Sequence, residues 1–170
     1  MVAELIGGAL HLQPRPAMRH ARAASVLGIR IGAPYDDGPD GPGGWWILDE
    51  PELHLGPATS PDVLMPNLAG WKRARMPQFP DAPWSELAPD WAYEVLSPST
   101  RRFDLTDKRE IYGAHGVGHL WLVDPVARTL EAFARRDGAW LLVAALKDDD
   151  AVRVPPFEAT SFPLSALWPD

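Results

Sequence analysis

Apolar positions recur along the chain in helical and alternating rhythms that divide it into short elements. Ala17, Ala21, Ala24, Leu27 and Ile31 fall on one helix face, which predicts a helix over 16–31 with Pro16 in its first turn. Residues 4–12 alternate weakly, as a short strand or a turn leading into one. The run 45–48, a turn at Asp49-Glu50-Pro51 and the alternating run 52–55 predict a hairpin. Residues 62–71 read as a third strand, bent or bulged at Pro66. A proline-rich connector over 76–89 then leads into a strongly apolar strand over 90–97. A helix over 104–115 follows, stopped by Gly116. Residues 119–123 form a continuous apolar run, suited to a central strand. Turns at Asp124-Pro125 and Asp137-Gly138 make 129–134 and 139–146 a meander. No linker interrupts the pattern, so one α+β domain is expected over 1–170.

Composition narrows the class. A hydrophobic fraction of 46% in 170 residues is enough for a packed core. No apolar stretch has the length of a membrane span and no leader pattern opens the chain, so a cytoplasmic protein without a membrane partner is expected. The absence of cysteine excludes disulfides and thiolate metal sites. A net charge of −7 argues against broad, charge-driven binding to nucleic acid. The cations are nevertheless unevenly placed. Lys72, Arg73, Arg75, Arg101, Arg102, Lys108 and Arg109 all lie between Trp71 and Tyr112, on either side of residue 94. They are either solvated loop charges or a local phosphate-facing patch, with Lys72, Arg73, Arg75 and Arg101 as candidate contacts.

The residue that most needs explanation is Glu94, inside the apolar run Trp91-Ala92-Tyr93-Glu94-Val95-Leu96. Strand alternation puts it on one face with Ala92 and Leu96, opposite Trp91, Tyr93 and Val95. If both faces are covered, the carboxylate must be paired, protonated or bound to a cation. On the next helix Leu105, Lys108, Ile111 and Tyr112 share a face, so Lys108 points to the apolar side, with Asp104 four residues earlier able to pair with it. Taken alone, Lys108 reads as a stem snorkelling to water or as a helix ion pair. Together, a buried Glu and Lys fit metal-dependent phosphodiester hydrolysis: the carboxylate holds Mg²⁺ and the lysine orients or deprotonates a water. One carboxylate binds Mg²⁺ weakly. Asp62, Glu52 and the position of Asn67 are the candidates for a second ligand. His20 on the first helix also approaches this region, although a polar helix position explains it as well.

Longer stretches then carry a resemblance. Residues 45–55, Leu68-Ala69-Gly70-Trp71, Glu94-Val95-Leu96-Ser97-Pro98-Ser99-Thr100, the spaced Asp104, Lys108 and Tyr112, and Leu120-Trp121-Leu122-Val123-Asp124-Pro125 resemble the Uma-two family. This is a group of restriction-endonuclease-like proteins within the PD-(D/E)XK nuclease superfamily. The resemblance implies a restriction-endonuclease-like core, a mixed sheet flanked by helices, and a DNA substrate cleaved with Mg²⁺ or Mn²⁺. Cutting both strands with one site per chain further implies a homodimer. It also implies that Glu94 and Lys108 are the strand glutamate and the shifted lysine of the site. Leu96 stands where the superfamily pattern has its lysine. Asn67, after Pro66, stands where the metal-binding aspartate is usual, and an amide oxygen carries no charge. Either Asp62 or Glu52 makes good that loss, or the chain keeps the nuclease fold as a binding module without hydrolysis.

Overall fold

The computed structural model describes residues 1–170. Two sheets share the chain. Strands β1 (Val2–Ile6), β2 (Ala9–Gln13), β4 (Glu52–Leu55), β5 (Asp62–Leu64) and β7 (Trp84–Ser85) form one, in the order β2-β1-β5-β4-β7. The second contains β3 (Trp45–Asp49), β6 (Leu68–Lys72), β8 (Trp91–Val95), β9 (His119–Asp124), β10 (Thr129–Arg136) and β11 (Ala139–Lys147), in the order β11-β10-β9-β8-β6-β3. Its strands β8 and β9 are parallel and the other pairs antiparallel. A small pair, β12 (Ala151–Val152) and β13 (Phe162–Pro163), lies near the C-terminus. No helix is long and apolar enough to cross a membrane.

The six-stranded sheet is covered on both faces. Helix α1 (Met18–Gly32) places Ala23, Leu27 and Ile31 against Trp91, Tyr93 and Val95, and Phe157, Leu164 and Leu167 complete that core. On the other face Ala92, Leu96, Leu120 and Leu122 meet Ile6, Leu53, Leu55 and Leu64 of the five-stranded sheet, together with Tyr112. β8 therefore lies between two cores with a hydrogen-bonded neighbour at each edge. All five of its residues are buried, which is why its pattern is apolar rather than alternating.

Two expected elements divide differently. Residues 45–55 do not form a hairpin, since β3 pairs with β6 while β4 pairs with β5 and β7. Residues 62–71 form two strands, with β5 in one sheet and β6 in the other. In both cases a turn containing proline, Glu50-Pro51 or Met65-Pro66-Asn67, carries the chain from sheet to sheet. The two crossings touch, with the Glu50 N–H donating to the Asn67 carbonyl at 3.1 Å. The weakly patterned N-terminus is a full hairpin, β1–β2, whose turn residues Gly7 and Gly8 both have positive φ. A two-residue turn of that kind matches the twist of the strands it joins.

The second helix begins earlier than the spacing predicts. Arg101–Phe103, a π-helical turn Asp104–Lys108 and Arg109–Ala114 run on as one stretch over 101–114, here called α2. Gly116, at φ 80°, ends it in the left-handed conformation.

Candidate active site

The site lies where the two sheets diverge, at the C-terminal end of β8. Pro98 ends that strand, and the Ser97 and Thr100 hydroxyls lie 3.0 Å apart across the turn into α2. The π-turn then inserts a residue into the helical ladder, a distortion that re-aims side chains and recurs at functional sites. Asp104 and Lys108 both project inward from it and are 2% exposed.

Three carboxylates converge on Lys108. Its Nζ lies 2.7 Å from Glu94 Oε1, 3.0 Å from Glu4 Oε1 and 3.3 Å from Asp104 Oδ1. The Tyr112 hydroxyl donates to Glu94 Oε1 at 2.6 Å, so one helix supplies both partners of that oxygen. Glu4 also accepts from the Met65 N–H and from Gln13 Nε2, each at 2.8 Å. A polar cleft of about 50 Å³ reaches this cluster and is lined by Gln13, His20, Asn67, Ser97 and Thr100 among others. Asn67 Oδ1 accepts from the Val95 N–H at 2.8 Å, which places its amide next to Glu94 on the β8 backbone. His20 is 7% exposed, and its Nδ1 has no partner.

Burial dominates the protonation of the cluster. It pushes Glu94 up to about 8; Lys108 opposes the shift, while Asp104 and Glu4 reinforce it. Asp104 is raised as well, first by burial. Burial alone would favour a neutral Lys108, but Glu94, Asp104 and Glu4 together overcome it and hold the ammonium above the usual lysine range. His20 is lowered by burial, partly offset by hydrogen bonding with the Val95 backbone. Glu94 and Asp104 thus hold a proton more readily than free carboxyls do, and they titrate as coupled groups around the Lys108 ammonium.

The sign of the pH dependence follows. A carboxyl raised on folding adds stability below its unfolded value near 4.5 and loses it as pH climbs through about 8. Glu94→Gln fixes the uncharged form. Its stability relative to the parent should therefore improve between pH 5 and pH 8.5, by roughly 3 kcal/mol allowing for the shared proton. Urea unfolding at several pH values measures this; a difference that does not change with pH would contradict it.

The other expected residues lie elsewhere. Glu52, on β4, pairs with His54 at 2.7 Å and does not line the cleft. Asp62 Oδ1 accepts from the Gly7 N–H at 2.7 Å, which ties β5 to the β1–β2 turn rather than to Glu94. Neither supplies the carboxylate missing at Asn67. Lys72 is at the other end of β6 from Asn67, roughly 16 Å away at the usual rise per residue. Arg73 is held by Asp36 at 2.7 Å and stacks over Trp46, and Arg75 is held by Asp90 at 2.9 Å. Arg73 and Arg75 fasten loops at the far end of the sheet. None of the expected phosphate contacts lines the cleft; Arg101 follows Thr100, which does, and is paired with Asp124.

The reading from sequence alone missed Glu4. Its signal was present, because Glu4 and Ile6 share the buried face of β1 just as Glu94 shares one with Ala92. A strand that alternates only weakly hides such a residue.

Comparison with known proteins gives the family and the fold. The family model Uma2, described as "Putative restriction endonuclease", matches residues 2–165. The chain belongs to the Uma2 family. A solved structure described as a "putative nuclease belonging to DUF820", from Anabaena variabilis, superposes with a TM-score of 0.73. It covers 98% of this chain and 89% of its own at 20% sequence identity, which is a likeness of fold. No curated protein matches the chain. The α+β, nuclease-like fold expected from the sequence is thus shared with a structure of that description.

Divalent metals are general among restriction-endonuclease-like proteins. The donor chemistry here suits such an ion: Glu4, Glu94, Asp104 and the Asn67 amide offer only oxygen, the preference of a hard cation. No three acidic or imidazole side chains are spaced to hold an ion by themselves, and the ammonium of Lys108 stands at their focus. The residues fit a cation on condition that Lys108 shares those oxygens.

Proposed function

We propose that this Uma2 protein hydrolyses DNA phosphodiester bonds with Mg²⁺ or Mn²⁺ at the Glu94–Lys108 cleft, with metal affinity weakened by Asn67. The observation that carries the reading is the convergence of three buried carboxylates and a lysine at the end of β8, open to a polar cleft. Burying four charged groups costs several kcal/mol per ion unless each is paired, and an apolar cluster would fill the same space more cheaply. Perturbed groups gathered in a cleft are where chemistry is expected.

In this reading Glu94 and Glu4 would hold the ion, with the Asn67 amide oxygen as a neutral donor. When bound, the ion supplies Lewis acidity towards the phosphate and lowers the pKa of a coordinated water. The protein's own residues do the rest. Tyr112 fixes the rotamer of Glu94 through its 2.6 Å hydrogen bond. Lys108, kept protonated by its neighbours, balances the negative charge that a phosphate brings into the cleft. The unpartnered Nδ1 of His20 orients water at the wall. Arg101 meets the phosphate at the mouth.

A second reading, a nuclease fold kept for binding without hydrolysis, is favoured by Asn67 and by the ammonium at the focus of the acids. Calorimetric titration with Mn²⁺ separates the two. The hydrolytic reading expects binding that Glu94→Gln weakens by ~10-fold or more, about 1.4 kcal/mol. Absence of any Mn²⁺ binding favours the second.

A further inference from the structure

The depth of the cluster, together with what surrounds its mouth, bears on the kind of nucleic acid that can reach it. Glu4, Glu94 and Lys108 are 1%, 3% and 2% exposed, and the cleft above them has about 50 Å³. That is room for no more than a few waters. A duplex presents its phosphates on a stiff ridge, which must be deformed before one of them can enter so narrow a cleft. A single strand rotates freely about its backbone and can push one phosphate inward.

The mouth has the chemistry such a strand needs. One lip is the β2–α1 connection, where Pro14 and Pro16 line the cleft and the exposed Arg15 lies between them. The other is the β8–α2 turn, where Thr100 lines the cleft and the exposed Arg101 and Arg102 follow. Neither Arg15 nor Arg102 has a carboxylate within ion-pair distance, so both are available in a chain whose net charge is −7. Beside Arg102, Phe103 is partly exposed and meets His11 of β2 edge-on at 4.4 Å between ring centroids. Cations that track a backbone next to an aromatic surface for bases are the recurrent means of holding single strands. The cleft also contains His20, more than nine-tenths buried, with Nδ1 unpartnered.

We infer that the substrate is single-stranded nucleic acid, held across the mouth by Arg15 and Arg102, with a base stacked against Phe103. This rests on the nuclease reading for the chemistry below the mouth, but its test is binding, not cleavage.

A fluorescein-labelled 12-mer of oligo-dT and a labelled 12-base-pair duplex, titrated with the full chain in EDTA, are compared by anisotropy. The single strand is expected to bind ~10-fold or more tightly than the duplex. Arg15→Glu and Arg102→Glu should each weaken it by ~10-fold, and Phe103→Ala by roughly 5- to 100-fold, the range for one base stack. Lys72→Glu, at the far end of β6, should leave it unchanged. Equal or tighter duplex binding, no binding of either, or loss on Lys72→Glu with the mouth variants unaffected would overturn the inference. Loss of cleavage with this binding pattern intact would count against the catalytic reading alone.

Discussion

Replacing Lys108 with Met is expected to cost roughly 3–5 kcal/mol of folding stability at pH 8 and clearly less at pH 5.5. The side chain is nearly isosteric, so the effect reports charge rather than volume. Its removal leaves Glu4, Glu94 and Asp104 buried within a few ångströms of one another with no counter-charge. Without the ammonium that now opposes the shift, Glu94 and Asp104 are pushed further up and can remain buried only by taking up protons. Stability tied to raised carboxyls is present in acid and lost as pH climbs, so the penalty must grow with pH. Urea unfolding of parent and variant at the two pH values measures it. A cost independent of pH would mean that the cluster is held by packing and not by its charges.

Asn67→Asp should have the opposite character, weakening the metal-free protein while improving its hold on an ion. The aspartate can still accept the Val95 N–H that Asn67 now accepts at 2.8 Å, so the local backbone is kept. It adds a fourth acid to a cleft that already contains three around a single ammonium, for a loss of about 1 kcal/mol without metal. Mn²⁺ then finds a charged oxygen in place of an amide, and affinity should rise by ~10-fold or more. Thermal unfolding with and without Mn²⁺ shows both halves: a lower midpoint alone, and a larger upward shift with metal than the parent gives. An unchanged response to Mn²⁺ would place Asn67 outside the ion's reach.

Much of the fold was legible because local signals and tertiary demands agreed. The faces assigned to Trp91, Tyr93 and Val95 against Ala92 and Glu94 are those the two cores occupy, since a buried central strand leaves no freedom of register. The β9–β10–β11 meander and the glycine stop at Gly116 follow from turn chemistry alone. The inward placement of Lys108 followed from helix periodicity. What failed was the partnering of short strands. Nothing in residues 45–55 or 62–71 distinguishes a hairpin or a bent strand from a chain crossing between sheets at proline, because the choice is made by distant partners.

That error spread to the site. With residues 45–55 taken as a hairpin, Glu52 looked like a neighbour of Glu94, whereas its strand belongs to the other sheet and its carboxylate to His54. The acid that does meet Lys108 comes from β1, ninety residues before Glu94, and no spacing rule connects the two. The cation-rich segment misled for a related reason. Lys72 is close to Asn67 in sequence, but a strand is straight, and it carries Lys72, Arg73 and Arg75 to the far end of the sheet.

The acids around Lys108 are proposed to form a hydrolytic site whose weakness lies at Asn67. Cleavage of labelled single-stranded and duplex DNA oligonucleotides in Mn²⁺ tests this, comparing the parent, Asn67→Asp and Glu94→Ala. Slow cleavage by the parent is expected, with at least ~10-fold faster cleavage by Asn67→Asp at limiting metal and none by Glu94→Ala. Cleavage that survives Glu94→Ala, or no cleavage by either the parent or Asn67→Asp at any Mn²⁺ concentration, would contradict it.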